Sequence, residues 1–288
     1  MPEPDKEHTW IVAYASVIGN GHIQNNIPCQ DNCAHLKIND SWSVAVVCDG
    51  AGSAKLSHIG SDFVARNTAH CLSEIIERRK WGFSEIPTED EWRKEALKAM
   101  QIVMQRLTSF AKGNNYQLHE LSCTVLACIY SPFALLTVHI GDGRATYSTK
   151  NEEWHALIKP FRGNEANETV FISSGIWTDE GVEKYISTNI KTGSIRALAL
   201  CSDGCEKGSF EVNIFDESSQ KFLDLNRPFP KFFEPNVQAL RQLHSENKSQ
   251  EEINSLWSAF LSAGTKAFKQ EIDDKTLILA VLAADPLN

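Results

Sequence analysis

Two apolar runs in this chain end alike: residues 44–48 run into Asp49-Gly50, and residues 195–201 run through Ser202 into Asp203-Gly204. Such runs predict buried strands. A carboxylate directly after a buried strand stands at the rim of a sheet, and the glycine behind it leaves its backbone carbonyl accessible to a ligand. Asp31, after a polar loop, and Asp273, just ahead of the β-rich run 276–283, share that setting. Side chains that offer only oxygen favour magnesium or manganese. Taken singly, each Asp-Gly reads first as a turn, because that dipeptide is also a common hairpin signal.

The surrounding pattern is a mixture of strands and helices. Residues 9–18 and 41–48 predict strands, with the polar stretch between them as a loop. Apolar residues at helical spacing predict a core-facing helix over 57–79. Thr88 and Glu91 form a capping-box signature ahead of a second helix that carries Trp92, Leu97, Val103 and Leu107. Strands at 122–130, 133–140 and 144–148, joined by short turns at Ser131-Pro132 and Gly141-Asp142-Gly143, predict an antiparallel meander. Further strands fall at 194–201 and 276–283, and Ser249 with Glu252 caps a last helix through Leu261. Helices segregated from strands predict an α+β fold. Residues 208–248, with prolines at 228, 230 and 235 and six phenylalanines, read as an irregular surface insertion in a single domain spanning 9–285.

A chain of 288 residues, 42% of them hydrophobic, can bury a large core. The net charge of −9, with no block of lysine or arginine, gives nucleic acid or an anionic membrane little to bind. The eight cysteines sit mostly inside apolar runs instead of zinc-type spaced pairs, and read as reduced core residues. The N-terminal decapeptide is polar and acidic and no apolar stretch reaches a membrane span, so the expected location is cytoplasmic.

Gln30-Asp31, Asp49-Gly50-Ala51-Gly52-Ser53, Gly141-Asp142-Gly143, Ser202-Asp203-Gly204 and Asp273-Asp274-Lys275-Thr276 occur in that order over nearly the whole chain. In this order they resemble the metal-dependent protein phosphatase family, the protein phosphatase 2C type, and especially its compact bacterial members. The resemblance implies an α-β-β-α sandwich of two antiparallel sheets flanked by helix pairs, with two Mn2+ or Mg2+ ions at one end of the sheets. It implies that Asp49 bridges both ions, that the Gly50 carbonyl ligates one, that Asp203 and Asp273 complete one site, and that Asp31 supports the other through water. Asp142 matches the position of a third, weaker ion. Two such ions about 4 Å apart activate a water for in-line attack on phosphorus, with no covalent enzyme intermediate. The implied substrate is phosphoserine or phosphothreonine in a phosphoprotein, and a serine/threonine kinase or its targets are the implied partners.

The chain also departs from that family. The phosphate-clamping arginine before the loop aspartate is replaced by Asn25-Asn26-Ile27-Pro28-Cys29, Gln30 stands where an acid is common, and Ala51 stands where eukaryotic members place a histidine. His22 can take over either lost function, binding phosphate or donating a proton, though a loop histidine is also commonly just exposed. His58 at a helix start reads as a cap or packing residue, and Lys55 and Arg144 as phosphate contacts or solvated surface. His139 reads as a satisfied sheet residue and Asp62 as solvent-facing, while Asp274 either ligates or hydrogen-bonds its own turn. The tryptophans at 42, 81, 92, 154, 177 and 257 read as core or elbow packing. Two other functions fit the same residues: a catalytically weak scaffold that binds a phosphoprotein or kinase, and a hydrolase of small phosphomonoesters.

Overall fold

Successive residues of the apolar strands enter different cores. In β3 (Ser43–Cys48), Val44, Val46 and Cys48 pack into one apolar cluster, and Ala45 and Val47 into another. In β14 (Lys275–Leu282), Leu277, Leu279 and Val281 enter a third cluster, whereas Ile278 and Ala280 join the one that Ala45 and Val47 line. Strands this apolar on both faces must be covered on both faces. The computed structural model, which describes residues 9–150, 153–161, 169–212, 214–218 and 220–284, covers them with two stacked sheets and outer helices.

The first sheet has the order β1 (Trp10–Val17), β14, β9 (Ile195–Cys201), β6 (Arg144–Thr149), β7 (Trp154–Ala156). The second has the order β2 (Asn32–Lys37), β3, β4 (Val125–Tyr130), β5 (Ala134–Ile140), β8 (Ser187–Thr192). Every pairing is antiparallel. Helices α2 (Ser57–Arg79) and α3 (Glu89–Gly113) pack on the second sheet, and α6 (Pro230–Ser245) and α7 (Gln250–Ala263) on the first. The result is the expected α-β-β-α sandwich. Tryptophans fasten helices to sheets: Trp92 Nε1 of α3 donates to the Thr137 carbonyl of β5 at 2.8 Å, and Trp257 Nε1 of α7 to the Leu277 carbonyl at 2.9 Å. Trp42, Trp81 and Trp154 are buried as well, and Trp177 is half-buried. The eight cysteines are free, six of them buried.

Both capping boxes form as their spacing predicts. Glu91 N–H donates to Thr88 Oγ1 at 3.3 Å and Thr88 N–H to Glu91 Oε2 at 2.8 Å, and Ser249 with Glu252 repeats the arrangement. The start and stop of α2 match the apolar periodicity to the residue.

Three expectations fail. The polar stretch after β1 is not a plain loop: it holds α1 (Asn20–Asn25) and the edge strand β2, whose half-buried side chains lack the apolar alternation that marks a strand. Strands β4, β5 and β6 do not form a meander. After β5 the chain turns at Gly141, with φ +119°, and β6 enters the opposite sheet. A Gly-Asp-Gly turn serves a sheet switch as well as a hairpin, so local sequence cannot separate them. Residues 208–248 are not irregular throughout. After α5 (Glu206–Ser209), β10 (Phe210–Glu211) pairs with β13 (Arg227–Pro228) and β11 (Ile214–Asp216) with β12 (Lys221–Leu223), and then α6 begins with Pro230 at its first turn. Pro235 inside α6 hides the helix from a reading by breaker residues. Two short helices, α4 (Asp179–Tyr185) and α8 (Lys266–Gln270), and two 3-10 turns, Leu118–Leu121 and Asp203–Cys205, complete the described elements. No described helix is long and apolar enough to cross a membrane.

Candidate functional site

The strand directions bring the predicted aspartates to one end of the sandwich. The register pairs Val17 with Lys275, Asn32 with Cys48, Val125 with Ile140 and Arg144 with Cys201, so the loops holding Asp31, Asp49, Asp142, Asp203 and Asp273 leave the sheets together. The Asp49 backbone is clamped: its N–H donates to Thr124 Oγ1 at 3.0 Å and its carbonyl accepts from Thr124 N–H at 2.8 Å. Gly50 bridges to Cys123, and a Cβ there would lie 2.4 Å from the Gln30 carbonyl oxygen. At Gly204 a Cβ would lie 1.9 Å from the Asp274 carbonyl oxygen. Both glycines are therefore demanded by close backbone approach beside a candidate ligand.

The carboxyl groups of the cluster disfavour one another's ionisation. Burial, followed by the charges of Asp31, Asp203, Asp142 and Asp273, pushes Asp49 well above the usual carboxylate range. Burial raises Asp31 to about 8 although Ser202 donates to it, and Asp203 goes to about 7 through burial and then the charges of Asp142 and Asp273. Asp273 is raised by burial as well, with the hydrogen bond from the Asp274 N–H pulling it back. None of Asp31, Asp49, Asp203 and Asp273 forms an ion pair with a described lysine or arginine. Asp203 Oδ1 is buried without a hydrogen-bond partner. A buried, unpaired carboxylate oxygen among like charges is costly unless a cation balances it.

Among the described residues no group of three or more His, Cys, Asp or Glu side chains is arranged so that it could hold a metal ion by itself. Side chains alone thus do not enclose an ion here. The orphaned Asp203 oxygen and the acceptor-only donor set fit a hard divalent cation such as magnesium or manganese.

Asp31 does not simply face the cluster. It is 4% exposed, and its Oδ2 accepts from Ser202 Oγ at 2.6 Å, while that hydroxyl accepts from Thr276 N–H at 3.1 Å. Ser202 and Thr276 thereby link three of the site loops, a role that no residue pattern announced. Asp274 hydrogen-bonds distant loops, not its own turn: 1% exposed, it accepts from Gly19 N–H at 2.7 Å and Gln30 N–H at 2.5 Å. His22 lies on α1, not in a loop, and its Nδ1 is 2.8 Å from Asp274 Oδ1.

Arg144 departs from both readings made for it. It is fully buried, neither solvated nor open to phosphate; its guanidinium donates to Glu206 Oε2 at 2.8 and 3.0 Å, to Asp224 at 2.8 and 3.2 Å and to Asn226 Oδ1 at 2.7 Å. It thereby anchors the 210–228 ribbons to the turn that carries Asp142. His139 is not satisfied: its Nε2 is buried without a partner, and burial lowers its pKa to about 4. Lys55 is exposed, His58 is half-buried in the first turn of α2, and Asp62 pairs with Arg66.

Comparison with known proteins places these features in context. The profile described as "Protein phosphatase 2C" matches residues 18–255. The chain is 28% identical over 282 residues to serine/threonine-protein phosphatase 3 of Escherichia coli (strain K12), covering 96% of this chain and 99% of that protein. Among solved structures, serine/threonine phosphatase Stp1 from Staphylococcus aureus superposes with a TM-score of 0.54 at 14% identity, covering 98% of both chains. The S. agalactiae serine/threonine phosphatase gives a TM-score of 0.56 at 13% identity, covering 95% of this chain and 99% of that one.

Proposed function

This chain belongs to the protein phosphatase 2C family, and on that premise we propose that it hydrolyses phosphoserine and phosphothreonine in proteins, with Asp31, Asp49, Gly50, Asp142, Asp203 and Asp273 as the metal-holding set. The observation that carries this reading is the convergence of carboxylates, of which Asp31, Asp49, Asp203 and Asp273 pair with no described lysine or arginine, with Asp203 Oδ1 buried and unpaired. Asp49 and the Gly50 carbonyl, Asp203 and Asp273 hold the principal ions, Asp31 acts from behind Ser202, and Asp142 serves a third. Mn2+ or Mg2+ bound there supplies an activated water and neutralises phosphoryl oxygens.

The protein's own contribution is rigid placement. Thr124 fixes the Asp49 backbone from both sides, so its carboxylate does not have to be ordered when substrate arrives. His22, on the rim of the cluster, is the side chain poised to meet the phosphoryl group or the departing alcohol. Residues 9–285 act as one catalytic domain. Phosphoproteins are the substrates, and a kinase that modifies the same targets is the natural functional counterpart, in the cytoplasm.

The test is phosphate release from a phosphothreonine peptide with manganese, with magnesium and with chelator, for the wild type and Asp49→Asn. Metal-dependent release that falls about a hundredfold or more in a folded variant supports the reading. Absence of release under every metal would sink it and favour the scaffold function.

A further inference from the structure

His22 Nδ1 stands 2.8 Å from Asp274 Oδ1 at the rim of the carboxylate cluster. The Asp274 carboxylate already accepts two backbone N–H groups, from Gly19 and Gln30, which leaves acceptor sites and a fixed orientation. Nδ1 is buried and makes no hydrogen bond at the present ring angle, so a small rotation of the imidazole completes one to Asp274. Helix α1, which carries the ring, is docked by its own backbone and Asn20: Gly21 N–H donates to the Ile272 carbonyl at 2.9 Å, Asn20 N–H to the Glu271 carbonyl at 3.3 Å, and Asn20 Nδ2 to the Lys269 carbonyl at 2.8 Å. A Cβ on Gly19 would lie 2.3 Å from the Asp273 backbone, so α1 cannot shift without moving that candidate ligand's loop. The His22 side chain keeps 16% of its surface open to solvent, which leaves a route for proton exchange.

We propose that Asp274 is a positioning residue that holds His22 with Nδ1–H turned inward, so that Nε2–H of the imidazolium protonates the departing serine or threonine oxygen. This rests on the phosphatase reading above and deepens it. A buried carboxylate behind an imidazole selects one ring orientation and stabilises the charged ring. In the step, the bond between phosphorus and the seryl or threonyl oxygen breaks, and the Nε2 proton moves to that oxygen. The attacking water's oxygen forms the new bond to phosphorus and its surplus proton passes to solvent. The neutral imidazole left behind keeps its proton on Nδ1 toward Asp274 and is reprotonated from solvent. Asp274, buried behind the ring, touches neither phosphate nor leaving group.

Two measurements test this. The first compares a phosphothreonine peptide, whose alkoxide needs a proton, with p-nitrophenyl phosphate, whose phenolate leaves without one. For Asp274→Asn and for His22→Gln, turnover of the peptide should fall at least about tenfold further than turnover of p-nitrophenyl phosphate. The double variant should shift that ratio no further than His22→Gln alone. Equal losses on both substrates would reduce Asp274 to a loop clip and overturn the assignment. The second is nitrogen NMR of the histidine rings in metal-free protein: His22 should carry its proton on Nδ1 in the wild type and lose that preference in Asp274→Asn. A wild-type His22 protonated on Nε2 alone when neutral would refute the orientation. If Asp274→Asn does not fold, the wild-type spectrum and the half-buried variant His22→Gln decide the matter. A wild type inactive on both substrates would remove the phosphatase reading, and the NMR would still settle the pair.

Discussion

Raising the pH of the metal-free protein from 6.5 to 8 should make it easier to unfold. Asp31 is nearly inaccessible and burial lifts it to about 8; Asp203 follows to about 7. In the unfolded chain both titrate near 4. Between those limits the folded state binds more protons than the unfolded state, so stability falls as pH rises. Two other groups work in the opposite sense lower down. His35 and His139 are depressed to about 4 by burial, so their contribution is complete once pH exceeds the ordinary histidine value. Above about 6.5 the aspartates therefore act almost alone. Integrating the two over this interval gives a loss of about 2 kcal/mol, from which the tail of the histidine titration returns less than about 1 kcal/mol. Urea unfolding in chelator at several pH values measures it directly. Saturating manganese should reverse the trend, because the ions bind the ionised carboxylates and displace their protons. Asp31→Asn should reduce the slope, the rest remaining with Asp49 and Asp203. A metal-free stability that stays flat or rises from pH 6.5 to 8, or an Asp31→Asn slope equal to the wild type, would refute the account of the cluster as charge awaiting cations.

Arg144→Met should cost about 3 kcal/mol in urea unfolding, the low end for breaking a buried ion pair because Glu206 and Asp224 keep some access to water. It should also loosen residues 210–228 in a limited-proteolysis assay. Gly60→Ala should destabilise by about 1 to 2 kcal/mol despite the better helix propensity of alanine, since the new Cβ would sit 2.1 Å from the Leu121 carbonyl oxygen. A neutral or stabilising result by thermal unfolding would mean that α2 can shift. His139→Leu should stabilise by about 1 kcal/mol at pH 7 by removing an unpaired buried nitrogen. That gain should grow toward pH 5, where the unfolded histidine takes up a proton that the folded one refuses.

Much of the site was legible because it is written locally. A carboxylate after an apolar strand, with glycine behind it, marks a sheet rim whatever the partner strands are, and Asp49-Gly50 and Asp203-Gly204 both lie there. The capping boxes at Thr88 and Ser249 and the periodicity of α2 are likewise short-range signals, and they placed helix ends correctly. The sequence also supplied His22 as a candidate, but it left Asp274 undecided between ligating and bonding its own turn and did not announce its bonds to Gly19 and Gln30.

What remained hidden depends on which distant segments meet. Strands apolar on both faces state that they are covered twice, yet nothing in 144–149 says that this strand pairs with 195–201 in the opposite sheet instead of continuing beside 134–140. Arg144 has the composition of a surface residue, and only the approach of Glu206, Asp224 and Asn226, from segments far along the chain, makes its burial affordable. Asp274 meets Gly19, His22 and Gln30 across some 250 residues of sequence. Local chemistry determined the strands, the helix ends and the aspartates. Sheet pairing, the buried charge of Arg144 and the contact between Asp274 and His22 were decided by tertiary structure, because the energy of a buried charge depends on neighbours that no local pattern encodes.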